Sequence, residues 1–292
     1  DLRYCDGANV IEDNHIYAPN LDYGIYLNYC QATTGNEATI VNNLISVEDY
    51  GIYLNQNNYN QNIYYNSIKV RDNYALFTYY GNSNNTLINN ILYTDAVSTP
   101  AAYFYNTSVF SSSDYNDFST SYTYPIYYSG NRTLAQWQAY GYDSSSVSID
   151  PIFDADSSLI PTSYILDNKG TPIADITDDM YGNSRSETTP DMGAMEFTVE
   201  GSALAGSYTV GSGGDYDSIS TALSDLSVYG VSGPVTFNIL SGTYIEQLTI
   251  GEIYGTSGTN TLTIQSSTGD TADVSWQYTP TNSANYVLKV NG

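Results

Sequence analysis

The chain has 292 residues, of which 31 are Asp or Glu and 7 are Lys or Arg, with one His, giving a formal net charge of −24. That balance excludes a binder of nucleic acid or of anionic membrane surfaces, and no apolar run approaches the roughly 20 residues that span a bilayer. Only 13% of residues are charged against 41% hydrophobic, so the acidity reflects scarce cations, and a folded core is expected rather than a disordered tail. Tyrosine stands out at 32 residues, beside 7 Phe and 2 Trp; with abundant Asn, Ser, Thr and Gly this suits strands joined by tight turns. The chain opens on Asp1 and not Met, so a processed product or a piece of a longer protein is expected.

Internal repeats organise the first half. Asp22-Tyr23-Gly24-Ile25-Tyr26-Leu27-Asn28 recurs as Asp49-Tyr50-Gly51-Ile52-Tyr53-Leu54-Asn55, at an offset of 27. A second signature, Asn followed two residues later by a large apolar side chain, appears at Asn14, Asn43, Asn66, Asn90 and Asn116, with separations of 29, 23, 24 and 26. Ten to thirteen residues after each Asn comes an aromatic in a short apolar strand: Tyr26, Tyr53, Phe77, Tyr103 and Tyr127. A variable period near 25 without helical periodicity predicts a parallel β-solenoid over 1–130, each repeat one coil stacked ~4.8 Å from the next.

Stacking gives each signature a place. An inward Asn at a corner pairs its amide with its copies above and below and with turn backbone, so the asparagines are read as a structural ladder. Alternation sends Ile25 and Leu27 inward and Tyr26 outward. The outward aromatics Tyr26, Tyr53, Phe77, Tyr103 and Tyr127 then form either a packing stack or a contact surface for a sugar polymer or protein. Asp22 and Asp49 stack by the same register and are the candidate calcium site, with hydrated loop carboxylates as the plain alternative. Leu2-Arg3-Tyr4-Cys5 matches Leu27-Asn28-Tyr29-Cys30 at an offset of 25, one coil, which puts Cys5 and Cys30 within reach of a disulfide or of a reduced stacked pair.

From Asn131 the pattern changes. Thr133 to Ala139 reads as a short helical turn, followed by Asp150-Pro151-Ile152-Phe153 and a loop-rich stretch ending Pro190-Asp191-Met192-Gly193-Ala194-Met195-Glu196-Phe197; 131–197 is expected to close the coils as an end cap. After a linker at 198–206, a fresh unit opens at 207. Ile219, Ala222, Leu223 and Leu226 predict a one-sided helix near 217–227 behind Asp217 or Ser218 as N-cap. Strands at 235–240, 247–250 and 261–265 follow, with a bend at Gly242-Thr243-Tyr244.

These segments resemble a known group. Gly211-Ser212-Gly213-Gly214-Asp215-Tyr216, Pro234-Val235-Thr236-Phe237-Asn238-Ile239 and Gly242-Thr243-Tyr244-Ile245-Glu246 are similar to the opening segment of the pectin-lyase-like right-handed parallel β-helix, notably as found in large secreted surface proteins of Bacteroidota. Trp137-Gln138, Asp150-Pro151-Ile152-Phe153, Tyr181-Gly182-Asn183-Ser184-Arg185 and the 190–197 stretch are similar to its closing segment. The resemblance implies an all-β, extracellular or cell-surface protein. It also makes Ser218 and Thr271, in Asp-Ser-Ile and Asp-Thr-Ala, candidate O-glycosylation sites. The order is inverted, however: coils and closing segment precede a new opening segment at 207–292. A window from a tandem array fits that order, with a next copy continuing from Gly292 or docking head-to-tail on the coil at Leu2–Tyr4.

Catalytic machinery of the fold's carbohydrate-active members is not legible. Lys69 and Arg71 alternate with Ile68 and Val70 and read as the solvated face of a strand, and His15 has no Ser or Cys partner nearby in sequence. The expectation is a non-enzymatic structural or adhesive repeat with no catalytic centre and no required cofactor. Its expected partners are further copies of itself and surface polysaccharide. A lyase, hydrolase or esterase of the same fold, and a passive carbohydrate-binding module, are the alternatives.

Overall fold

The computed structural model describes residues 1–281 and 284–290 and divides into two compact units, Asp1–Thr162 with Leu166–Thr198, and Ser163–Ile165 with Val199–Gly292. Gly292, the expected point of continuation, lies outside the described residues.

The first unit is all-β, with three parallel sheets that share five coils. The first sheet stacks Leu2–Arg3, Tyr23–Asn28, Tyr50–Leu54, Leu76–Thr78, Ala102–Phe104 and Ile126–Tyr127, with Asn131–Arg132 closing it antiparallel. The second stacks Val10–Glu12, Ala38–Val41, Gln61–Tyr64, Asn85–Ile88 and Phe110–Asp114, and the third His15–Ala18, Leu44–Val47, Ser67–Val70, Ile91–Thr94 and Asp117–Thr120. Register keeps equivalent residues opposite one another: Leu2 faces Leu27 and Tyr26 faces Tyr53, as do Phe77 and Tyr103, and Tyr103 and Tyr127. Inward Ile52, Leu54, Ile68, Leu76, Leu92, Phe104 and Phe118 are fully buried in one continuous core. The period varies because loops change length while strand lengths hold.

The repeated glycines follow from this packing. A Cβ on Gly51 would sit 2.6 Å from the Ala75 carbonyl oxygen of the next coil and would collide with the Ile68 side chain. The second and third sheets meet at a two-residue turn whose first residue takes a left-handed conformation: Asp13, Asn42, Tyr65, Asn89 and Tyr115 have φ of 53, 55, 51, 62 and 55°. Each ladder Asn directly follows one of these.

Only part of 131–197 closes the end. Helix α1 (Leu134–Gln138), with a Thr133–Gln136 capping box, sets the fully buried Trp137 against Phe104 at the last coil. From Val147, which bridges Asp117, the chain instead runs back over the outer face of the third sheet. Phe153 meets Tyr93 one coil earlier, Asp156 reaches Lys69 in the coil before that, and the Ser157 carbonyl bonds the ring of His15 in the first coil. A return pass lays Leu159, Met180, Ala194 and Met195 on Leu44, and Leu166 and Met192 on Ile91. This stretch is a roof, which is why the outward residues Leu44 and Ile91 are fully buried.

The second unit pairs Leu204–Val210, Val231–Ile239 and Leu262–Ser266 in one parallel sheet, Gly242–Ile245 with Val274–Gln277, and Leu248–Ile250 with Leu288–Val290. Its first strand starts at Leu204, inside the expected linker, because Leu204 pairs with Val231. The expected bend at 242–244 is itself strand, in register with 274–276. Helix α2 (Ile219–Tyr229) is capped by Ser218 and buries Ile219, Ala222, Leu223 and Leu226. The Glu246 carboxylate accepts from the backbone N–H of Ser220 at 2.8 Å and of Ile219 at 3.3 Å, a negative charge placed at the positive end of the helix.

Candidate functional site

The five asparagines form an unbroken chain of hydrogen bonds. Asn14 Nδ2 donates to Asn43 Oδ1 at 2.8 Å, Asn43 to Asn66 at 2.9 Å, Asn66 to Asn90 at 2.9 Å, and Asn90 to Asn116 at 3.0 Å. Each Oδ1 also takes the backbone N–H of the preceding ladder residue, and from Asn43 onward each Nδ2 also donates to a carbonyl of the coil before. The last member needs an acceptor, and Asp143 supplies it. Its buried carboxylate takes Asn116 Nδ2 at 3.0 Å, Ser146 Oγ at 2.6 Å, Trp137 Nε1 at 2.7 Å and Ser113 Oγ at 2.8 Å. Burial pushes its carboxyl above the usual carboxylate range, and these four donors pull against that shift. A shorter ladder at the far end of the second sheet, Cys30 N–H to Asn58 to Asn82, went unread in the sequence although its spacing of 24 is the coil period.

On the outer face of the first sheet the aromatics stack face to face. Centroids lie 5.3 Å apart for Tyr26–Tyr53, 4.6 Å for Tyr53–Phe77, 4.5 Å for Phe77–Tyr103 and 4.7 Å for Tyr103–Tyr127, with interplanar angles of 21, 24, 19 and 6°. Beside it Tyr23, Tyr50 and Tyr74 make a second row, edge-on to the first. A ring inside such a row has both faces occupied by neighbours, so the stripe presents ring edges and hydroxyls outward. A sugar stacks on a ring face, so this geometry favours packing over a polysaccharide platform. Burial, then repulsion from Tyr50, Tyr23 and Tyr26, raises the Tyr53 phenol to about 12.

The remaining candidates are scattered. Asp49 accepts from Asn73 Nδ2 at 2.8 Å, and Asp22 and Asp49 both act, after burial, to raise the Tyr23 and Tyr50 phenols; among the described residues no three His, Cys, Asp or Glu side chains group so as to hold a metal ion. Cys5 and Cys30 are free thiols. Buried Cys30 has its Sγ 3.5 Å from the Leu2 carbonyl oxygen, and burial raises its thiol against the pull of backbone hydrogen bonds at Cys5 and Asn28. The Ser218 hydroxyl is spent on the α2 N-cap, and Thr271 opens an exposed 3-10 turn.

The roof overturns the expectation that Lys69 is solvated. Its side chain is 15% exposed, with Nζ 2.8 Å from Asp156 and 3.1 Å from Asp95. Burial alone would lower its pKa, but the two carboxylates outweigh that and raise it. Arg71, 43% exposed at its side chain, stays at the surface 3.8 Å from Asp156. Deeper in the roof, Arg185 lies over the Tyr65 ring at 3.8 Å and donates to Asn42 Oδ1 at 2.9 Å and to Gly193 O at 3.0 Å. Around it stand Asp179, which accepts from Asn183 and from the Tyr181 and Glu196 N–H groups; Asp191, which accepts from the Asn168 and Phe197 N–H groups; and Glu196 itself. The closing motif is therefore a clasp on the turn residues Asn42, Tyr65 and Asn89. Under the roof near Val147, Asp117 is fully buried, its Oδ1 accepting from Ile149 N–H at 2.9 Å, and burial raises its pKa strongly.

Residues 2–138 match the model of a protein family described as a right-handed β-helix region. The coils are a right-handed parallel β-helix. The match ends at α1, so the roof and the second unit lie beyond it. No curated protein and no solved structure matches the chain.

Proposed function

We propose that the chain is a non-enzymatic structural or adhesive repeat of a secreted, cell-surface or filament-forming protein. One observation carries this reading: the carboxylates of the β-helix unit whose pKa the fold shifts, Asp117, Asp143, Asp179, Asp191 and Glu196, each accept hydrogen bonds from the scaffold itself, and the one unpartnered oxygen among them that is fully buried, Asp117 Oδ2, is sealed from solvent. A general acid or base needs a free lone pair or proton within reach of substrate, whereas these groups hold turns, ladder and roof in place. Each unit has an outermost parallel strand, Leu2–Arg3 in the first and Leu288–Val290 in the second, on which a coil of another copy can continue by parallel pairing.

Purified protein incubated with pectin or alginate is expected to release no unsaturated or reducing sugar ends; release would replace this reading with that of a carbohydrate-active enzyme. Concentration-dependent head-to-tail association, read by light scattering and electron microscopy, is the expected assembly behaviour.

A further inference from the structure

The aromatic rows hold phenols in pairs. Tyr103 and Tyr127 lie in register on neighbouring strands, 4.7 Å apart and 6° from parallel; Tyr26 and Tyr53 are 5.3 Å and 21°, and Tyr23 and Tyr50 are 5.3 Å and 12°. Register sets the two Cα atoms of each pair opposite one another, and the near-parallel planes bring the two phenol rings face to face. Tyr23 is 43% exposed and the others are half-buried. Phe77 sits between Tyr53 and Tyr103, 4.6 and 4.5 Å from each. It breaks the row into two phenol pairs, because a ring without an O–H cannot give a phenoxyl radical by losing an electron and a proton.

We propose that these stacked pairs are sites of oxidative ortho–ortho coupling, which joins neighbouring coils covalently through dityrosine. The oxidant is a peroxide acting through a one-electron peroxidase. Each phenol of a pair loses one electron and its hydroxyl proton. The two radicals combine through ring carbons ortho to oxygen, forming one C–C bond, and each joined carbon then loses its hydrogen as a proton while the phenol hydroxyl is restored. The pair gives up two electrons and two protons in all, and one hydrogen peroxide takes them up as two waters. Preorganisation makes the step intramolecular, with no diffusion of two chains together.

The whole chain, dilute and treated with peroxidase and hydrogen peroxide, is then cut before aspartate. That cleavage separates the coils into 22–48, 49–71, 72–94, 95–113 and 117–142. The expected products are a monomer lighter by two hydrogens per link, dityrosine fluorescence, and the joined peptides 22–48 with 49–71 and 95–113 with 117–142. Tyr127→Phe, which keeps the stack, should cut the second link about tenfold. Phe77→Tyr should create a new link between 72–94 and 95–113. The proposal is overturned if coupling is mainly between molecules, if joined peptides come equally from non-adjacent coils, or if Tyr127→Phe leaves the second link intact.

Discussion

Asp143 shows how much one side chain can be asked to do. Every ladder amide donates towards the next coil, so the series ends on a donor, and a further amide there would itself need an acceptor. Asp143→Asn turns one of two acceptor oxygens into a donor facing Asn116, Trp137, Ser113 and Ser146, stranding at least one buried group. It should cost about 1–3 kcal/mol, read as a lower urea midpoint with little change in far-ultraviolet circular dichroism. Asp191 is the complementary case. Burial, with Glu196 and Asp167 adding repulsion against two backbone donors, raises its carboxyl from 3.8 to about 7. Between those values the folded chain holds a proton that the unfolded chain has released, so the stability it contributes is greatest below pH 3.8 and is lost as the pH rises through about 7. Urea midpoints should fall over that range, and Asp191→Asn should flatten the fall. Neither residue could be assigned from sequence, because each acquires its role from partners that the roof or last coil brings together.

Rows of like residues are the elements that were legible. The asparagines and aromatics could be placed because a fixed strand length keeps their phase while loops vary, and alternation alone sends Tyr26 and Ile25 to opposite faces. Within the ladder, position sets the cost of a break. Asn66 is fully buried, and Asn66→Ala leaves the Asn43 amide, the Ile40 and Tyr64 carbonyls and Asn90 Oδ1 without their partner; about 3 kcal/mol or more is expected. Asn14→Ala, at the exposed end, should cost about 1 kcal/mol. Denaturant titration of the two variants separates them, and equal losses would mean the ladder contributes nothing as a unit. The tyrosine stack has its own signature. The Tyr53 phenol rises from 10.0 to about 12 through burial first and its neighbours second, so its contribution is fully present below about pH 10 and is lost as the pH passes about 12. Phenolate absorbance should appear later than in the urea-unfolded chain, and unfolding should begin within that window.

At the scale of the molecule, the β-helix could be read from the period, but the roof could not. Nothing in Asp154 to Asp156 or in Pro190 to Phe197 says which strands they will cover. The solvated reading of Lys69 failed for that reason: strand alternation predicts which face a residue takes, and a covering segment far along the chain decides whether that face is wet. The same held for the linker, where Leu204 becomes strand only because Val231 arrives beside it.

The roof also makes the β-helix something other than a pile of coils. Backbone bonds between coils point along the stack, so tension in that direction loads them one layer at a time and would peel the last coil first. A strap that is fixed at Asp117, Tyr93, Lys69 and His15 on its way back, and at Asn89, Tyr65 and Asn42 on its return, carries the pull in parallel with those layers. Rupture then requires several of its anchors to shear together. Stretched between its first and last coils by optical tweezers, the β-helix unit should yield in one abrupt step. With Lys69→Ala and Arg185→Ala the same pull should give a staircase of smaller steps at lower force.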